Sequence, residues 1–316
     1  MPCLNEEKMI ASSIESLVDD FVMENAELLV VDGMSTDKTV EQVGKFIERG
    51  FPIRILINEN RLQCFGMNRA IREGVGENIK YIIRVDAHST YPPGYVKRLV
   101  ELLETTDAIN AGGIMVPVGK TPVQQAVAFA MQHPVGVGDA KFHTGNYKGY
   151  VDTVYLGAFK KQAFDNVGLF DTNCRTNEDA ELNIRLLNAG EKIYLDSSIS
   201  VEYLPRETFK KLAIQYFRYG IGRAYTTMKH KRFTSYRQPA PVLLVIALLA
   251  SLVTGFFYPL VFLFPGIYTG TVFATGLLSW RKRDIPVTIR LLMSIAFIVM
   301  HISWGAGFLC YFLRCK

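Results

Sequence analysis

Asp86 and His88 stand one residue apart, directly after the apolar run Tyr81, Ile82, Ile83 and Val85. A short run rich in β-branched residues predicts a buried strand, central in a parallel sheet. Ligands of open α/β sheets sit beyond the carboxyl ends of such strands. A carboxylate and an imidazole facing one point there make a metal or diphosphate station; the same residues also suit an ordinary turn. Asp32 ends a second apolar run, Glu27–Val31. A third acidic group, Asn177-Glu178-Asp179, precedes Leu182, Ile184, Leu186 and Leu187. Acids at that position either serve chemistry or simply complement the positive end of a helix.

These residues need strands and helices to bring them together. Pro2-Cys3-Leu4-Asn5-Glu6-Glu7 reads as a loop following a strand, so a first strand of about five or six residues is expected upstream of it. Asn5, with Glu6 and Glu7 behind it, predicts the N-cap of a helix running through Ile10, Ile14, Leu17, Val18 and Phe21. Strands Glu27–Val31, Ile53–Ile57 and Tyr81–Val85 alternate with helices carrying Val40, Val43, Phe46 and Ile47, spanning Leu62–Glu73, and carrying Val96, Leu99, Val100 and Leu103. That alternation implies a parallel, doubly wound α/β sheet. Residues 111–150 read as loop, punctuated by Gly112, Gly113, Gly136, Gly138, Gly145 and Gly149, with one helix over Gln124–Met131. Thr153–Gly157 predicts a strand, and Gly190 a stop for the helix that begins at Asn177-Glu178-Asp179.

Charge divides the chain. Residues 1–206 hold 21 Lys or Arg against 28 Asp or Glu, a net of −7, whereas residues 207–316 hold 14 against 2, a net of +12. The basic half leads into apolar segments, which argues for a membrane surface and against nucleic acid. Residues 207–237 carry eight Lys or Arg and one acid, Glu207, interleaved with Phe209, Leu212, Tyr216, Phe217 and Tyr219. This pattern predicts an amphipathic helix at a membrane interface. Residues 238–280 carry no charge over 43 residues, about twice the ~20 that cross a bilayer. Two spans are expected, 241–260 and 262–280, followed by the basic triplet Arg281-Lys282-Arg283 on the cytoplasmic side and, over Leu291–Leu313, a third span or a re-entrant segment. The expected organisation is a globular part over 1–206, a basic interfacial helix over 207–237 and a membrane region over 238–316. Cys3, Cys64, Cys174, Cys310 and Cys315 show no paired or metal-type spacing, as expected of reduced thiols. Met1, Pro2 and the charged residues after them do not read as a signal peptide.

Taken together, the motifs resemble those of the inverting, family 2 glycosyltransferases, and among them the succinoglycan-type membrane transferases of bacterial exopolysaccharide assembly. The resemblance covers about residues 2–225, with four motifs in the family's order. Pro2-Cys3-Leu4-Asn5-Glu6 is similar to the opening loop, and Val31-Asp32-Gly33-Met34-Ser35-Thr36-Asp37 to the loop whose acid contacts the nucleotide base. Asp86-Ala87-His88 is similar to the metal-binding acid motif, and Asn177-Glu178-Asp179 to the motif that supplies the catalytic base. The resemblance implies a GT-A fold, a doubly wound, mixed but mainly parallel sheet, followed by the interfacial helix and about three transmembrane helices. It implies Pro2, Asn5, Glu6, Asp32, Ser35 and Asp86 as nucleotide-sugar contacts. Asp86 and His88 become ligands of Mn2+ or Mg2+, and Asp179, with Glu178 beside it, the base. His88 stands where the commoner pattern has a second Asp. Gln215-Tyr216-Phe217-Arg218-Tyr219 approximates the Gln-x-x-Arg-Trp signature of membrane polysaccharide synthases. Gln215 and Arg218 share a helix face and with Tyr219 become acceptor or diphosphate contacts.

The implied reaction is transfer of a sugar, with UDP-hexose favoured as donor, to a polyprenyl-diphosphate-linked saccharide at the inner membrane, with the catalytic part facing the cytoplasm. Processive polymerisation and a non-catalytic membrane scaffold are the alternatives. Tyr219 in place of Trp, and few spans, weigh against the first; the presence of Asp32, Asp86 and Asp179 weighs against the second. A nucleotidyltransferase would want a Gly-rich triphosphate loop, and none is visible.

Overall fold

A computed structural model describes the chain except residues 77, 139, 234–236, 280–283 and 315–316. The triplet Arg281-Lys282-Arg283, Cys315 and Lys316 therefore lie outside the described residues. The chain forms two compact units, one of Met1–Val116 with Lys141–Tyr203, the other of Pro117–Ala140 with Leu204–Lys316. Segment 117–140, placed by the sequence in the globular part, thus packs with the C-terminal unit.

The first unit is α/β. Strand β1 (Pro2–Cys3) lies parallel to β2 (Leu28–Asp32), and β2 lies parallel to β3 (Ile53–Ile57). Pro2 and Cys3, expected in a loop, are thus strand residues aligned with Val31 and Asp32. Helices Thr39–Glu48 and Gln63–Gly74 follow β2 and β3 and turn Val43, Phe46, Met67 and Ile71 into buried positions. The helix expected from Asn5 is two. Ile10–Leu17 starts four residues late, and Asp20–Asn25 restarts where the Asp19 carboxylate accepts from the Val22 N–H. Asn5 is no N-cap; it adopts left-handed backbone with φ 56° and its side chain is used elsewhere.

The second sheet of this unit has six strands: β4 (Tyr81–Ile83), β5 (Ser89–Thr90), β6 (Asn110–Pro117), β7 (Lys148–Val151), β8 (Tyr155–Lys160) and β9 (Ile193–Tyr203). Its order is β4-β8-β6-β9-β5, with β7 on β9. The Tyr81–Val85 run is therefore not a central parallel strand: β4 ends this path and pairs antiparallel with β8. Residues 111–117, expected as loop, are strand. Gly113 is not turn punctuation, because a Cβ there would collide with the Ile199 backbone on neighbouring β9. Strand β9 escaped the sequence reading; its buried positions are interleaved with Asp196, Ser197, Ser198 and Glu202, which dilutes the apolar signal.

In the second unit, Pro122–Met131 begins with a capping box in which Thr121 and Gln124 exchange side-chain and backbone hydrogen bonds. Helix Phe209–His230 packs along Val287–Arg314, and Gly307 there lies against the Phe217 backbone with no room for a side chain. Among the described residues two stretches, Pro259–Leu278 and Val287–Leu313, are long and apolar enough to cross a membrane. Of the three expected spans, the first forms a 16-residue helix, Pro239–Thr254, short of the ~20 residues a bilayer asks for. Phe256, Phe257, Tyr258 and Leu260 are all more than two-thirds exposed, a run of large apolar side chains that water does not suit.

Candidate active site

The opening loop and the loop after β2 are stitched together. Asn5 N–H donates to Ser35 Oγ at 2.9 Å, and Asn5 Oδ1 accepts from Thr36 N–H at 2.8 Å. Glu6 N–H donates to Thr39 Oγ1 at 2.7 Å. Buried Asp32 caps its own loop, its Oδ2 accepting from Ser35 N–H at 3.0 Å. Pro2 on β1, Asn5, Glu6, Asp32 and Ser35 are therefore one framework at the ends of neighbouring parallel strands. Much of their polar capacity holds that framework together.

The loop after β4 is anchored as firmly. Ser13 Oγ, buried on helix Ile10–Leu17, lies 2.9 and 2.8 Å from the carbonyls of Ala87 and Ser89, which share its one proton. Ser16 Oγ accepts from Tyr91 N–H at 3.1 Å. Burial, reinforced by the Asp86 charge, holds the Tyr91 and Tyr155 phenols well above their ordinary pKa, so both stay neutral. His88 Nδ1 lies 3.1 Å from Glu6 Oε1, which joins this loop to the opening loop.

A residue absent from the sequence reading stands between the acids. Arg84 is buried at 7% exposure. Its Nη1 is 3.2 Å from Glu178 Oε1 and 3.8 Å from Asp179 Oδ2, and its Nε is 3.9 Å from Asp86 Oδ1. Asp86 and Asp179, 93 positions apart in sequence, thus share one guanidinium. Burial works against the Arg84 charge, but Glu178, Asp86 and Asp179 together outweigh it and raise its pKa. Burial also pushes the Glu178 carboxyl up, against the pull of Arg84 and with a push from Asp179. The acids differ in access: side-chain exposure is 6% for Glu178, 14% for Asp86 and 35% for Asp179. Gln63 Nε2 reaches Asp86 Oδ1 at 3.4 Å. The period-2 spacing of Arg84 and Asp86 was the available signal, since alternate residues of an extended strand face one side.

Among the described residues no three His, Cys, Asp or Glu side chains converge as a metal group. Asp86 and His88 would supply at most two ligands, and with Nδ1 of His88 turned to Glu6 its contribution would come from Nε2. That set fits a cation that arrives on a diphosphate and keeps phosphate oxygens and water as its other ligands. Three carboxylates around one guanidinium leave the cluster net negative, which suits a cation as well. Gln215, Arg218 and Tyr219 lie on helix Phe209–His230 of the second unit, where Gln215 Nε2 donates to the Tyr219 hydroxyl at 2.9 Å.

Comparisons with known proteins agree with this architecture. The family model described as glycosyl transferase family 2 matches residues 1–168. The chain is 34% identical over 312 residues to the succinoglycan biosynthesis protein ExoA of Rhizobium meliloti, spanning 98% of this chain and 92% of that one. It is 27% identical over 264 residues to the dolichyl N-acetyl-alpha-D-glucosaminyl phosphate 3-beta-D-2,3-diacetamido-2,3-dideoxy-beta-D-glucuronosyltransferase of Methanococcus voltae, 81% of this chain and 80% of the relative. The mannosyltransferase PcManGT from Pyrobaculum calidifontis, solved in complex with GDP-Man and Mn2+, superposes with a TM-score of 0.64 at 17% identity, over 96% of this chain and 85% of that one. At that identity the likeness speaks for the fold, which is GT-A. By family match and near-full-length relative, the chain belongs to glycosyl transferase family 2.

Proposed function

We propose that the protein is a metal-dependent, inverting glycosyltransferase. It moves a hexose from a nucleoside-diphosphate sugar, UDP favoured, to a polyprenyl-diphosphate-linked saccharide in exopolysaccharide assembly. The observation that carries this reading is the convergence of Asp86, Glu178 and Asp179 on Arg84 beside the stitched loops. The Asp32 loop and opening loop would cradle the nucleotide. Asp86, with His88 beside it, would hold Mn2+ or Mg2+, which neutralises the diphosphate as the glycosidic bond breaks. Structural neighbours solved with nucleotide-sugars, PcManGT with GDP-Man and Mn2+ and TarS 1-349 of S. aureus with UDP-GlcNAc, support such a donor.

Asp179 is the proposed base. It is the most exposed of the three acids, so its carboxylate oxygen can take the proton of an incoming acceptor hydroxyl. Glu178 is buried against Arg84 and supports the cluster from below. One displacement at the anomeric carbon, with no covalent intermediate, inverts the linkage; a positioned base of this kind contributes about 10²–10⁴-fold. Gln215, Arg218 and Tyr219 are the proposed acceptor or diphosphate contacts of the second unit. The apolar helices would anchor the chain in the inner membrane with the catalytic unit in the cytoplasm, where donor is made.

The test is Mn2+-dependent release of nucleoside diphosphate from a panel of nucleotide-sugars in membranes, with a lipid-extract acceptor. Release from one donor that disappears in Asp179→Asn supports both the reaction and the base. Silence of the wild type on every donor would refute the transferase reading. Undiminished turnover in Asp179→Asn would keep the transferase and remove Asp179 from that role.

A further inference from the structure

We propose that Arg84 is a positioning residue of this site: a single permanent positive charge that gathers Asp86, Glu178 and Asp179 around one centre and orients Asp179 toward the acceptor. The inference rests on the transferase reading above and adds to it a residue with no metal-binding or proton-transfer role of its own.

Three observations carry it. The first is placement. Arg84 follows β4, and its N–H donates to the Gly157 carbonyl at 3.0 Å. Gly157 has φ +85°, and a Cβ there would press on Asn110 Oδ1 and the Phe159 ring. The backbone facing Arg84 therefore takes a form that favours glycine, which fixes where the guanidinium emerges. The second is geometry. Nε faces Asp86 while Nη1 faces Glu178 and Asp179, so one planar group spans the acid of the β4 loop and the acids of helix Glu178–Asn188. Arginine keeps its proton throughout the physiological range, so this charge is constant.

The third is that the contacts are loose. Nε and Nη1 are buried, yet neither makes an aligned hydrogen bond; at 3.2 to 3.9 Å they act on the carboxylates as a charge. Catalytic contacts are often long before substrate arrives and tighten in the complex. A guanidinium serving packing alone would have no reason to be left with unaligned donors amid three acids, since buried donors are otherwise nearly always bonded.

Charge balance gives the test. Removing one member of a buried ion pair is far more damaging than removing both. The full chain in detergent is compared as wild type, R84M, R84K, E178Q and R84M/E178Q, by melting temperature and by kcat and donor KM. R84M is expected to melt about 10 °C lower and to lose about 100-fold in kcat, with donor KM changed less than about threefold. The double variant is expected to recover at least half of the melting loss, because one unpaired carboxylate goes with the missing cation. R84K, which keeps charge without the planar fork, is expected to regain about tenfold in kcat over R84M.

A double variant no more stable than R84M overturns the proposal, as does wild-type kcat in R84M. A wild type silent on every donor defeats the transferase reading; the melting comparison still decides the charge coupling, with recovery upholding it and additive losses sinking it.

Discussion

The Tyr91 hydroxyl closes on both ends of one residue: it accepts from the Asp86 N–H at 2.7 Å and donates to the Asp86 carbonyl at 2.9 Å. With Ser13 holding the next carbonyls, the proposed metal-binding acid sits on backbone with little freedom. Tyr91→Phe leaves the part-buried Asp86 N–H and carbonyl without this partner and should lower stability by about 1–3 kcal/mol. Denaturant titration reads the loss. Unchanged stability would mean that the loop does not depend on this hydroxyl.

Asp179→Asn and Glu178→Gln should separate. The first removes an accessible carboxylate and should reduce kcat by about 10²-fold or more with donor affinity kept. The second leaves that carboxylate in place and should act more on stability than on kcat. Equal kcat losses from both, at wild-type stability, would place the base function on the pair and not on Asp179.

Metal removal should silence the enzyme reversibly. Chelation is expected to stop nucleoside diphosphate release, and added Mn2+ or Mg2+ to restore it. Asp86→Ala should not be restored by any metal concentration. His88→Ala should be restored at a metal concentration raised about tenfold, the loss common for a weaker or supporting ligand. A His88→Ala enzyme with the wild-type metal requirement would leave His88 as the partner of Glu6 alone.

Gly113→Ala should destabilise the first unit by about 1–3 kcal/mol, the range for forcing atoms into a packed interior, because the new methyl meets Ile199 backbone and not a yielding side chain. Glycine in an ordinary loop would tolerate alanine, so a melting curve distinguishes strand from loop at this position.

Burial lowers the His143 pKa to about 4, and its Nδ1 is buried with no hydrogen bond. The unfolded chain then binds a proton at its ordinary value near 6.5 while the folded chain does not. Stability from this residue is full above that value and falls as pH drops toward 4. His143→Phe should flatten the decline between pH 6.5 and 4 in melts of the purified chain. A decline as steep as that of the wild type would show that His143 does not drive it.

Much of the first unit was legible because its signals are local. The runs ending at Asp32 and near Asp86 are short, β-branched and followed by acids, and the helices after them carry apolar residues at helical spacing. Asp32 at the end of β2, Asp86 in the loop after β4 and Asn177-Glu178-Asp179 at a helix start stand where the sequence placed them, whereas Pro2 and Cys3 of the opening motif are strand and Asn5 caps no helix. Pairing direction was not legible. Whether Tyr81–Ile83 runs parallel or antiparallel depends on β8, which lies more than 70 residues later. Gly112-Gly113 misled for the same reason: what excludes a side chain there is β9, a distant strand whose polar residues hid it.

The sequence by itself determined the inventory: the acids, the cysteine spacing, the division into an acidic and a basic apolar part, and the family that these resemble. Residue types and spacing are enough for that, because motif chemistry and hydropathy are properties of short windows. Only the tertiary structure decided which groups meet. Asn5 spends its side chain on Thr36 and not on a helix cap. Glu6 turns to His88. Arg84, one charged residue in an apolar run, becomes the shared counter-charge of three acids. Electrostatic partnership depends on distance through space and on exclusion of water, and neither is written in a window of sequence.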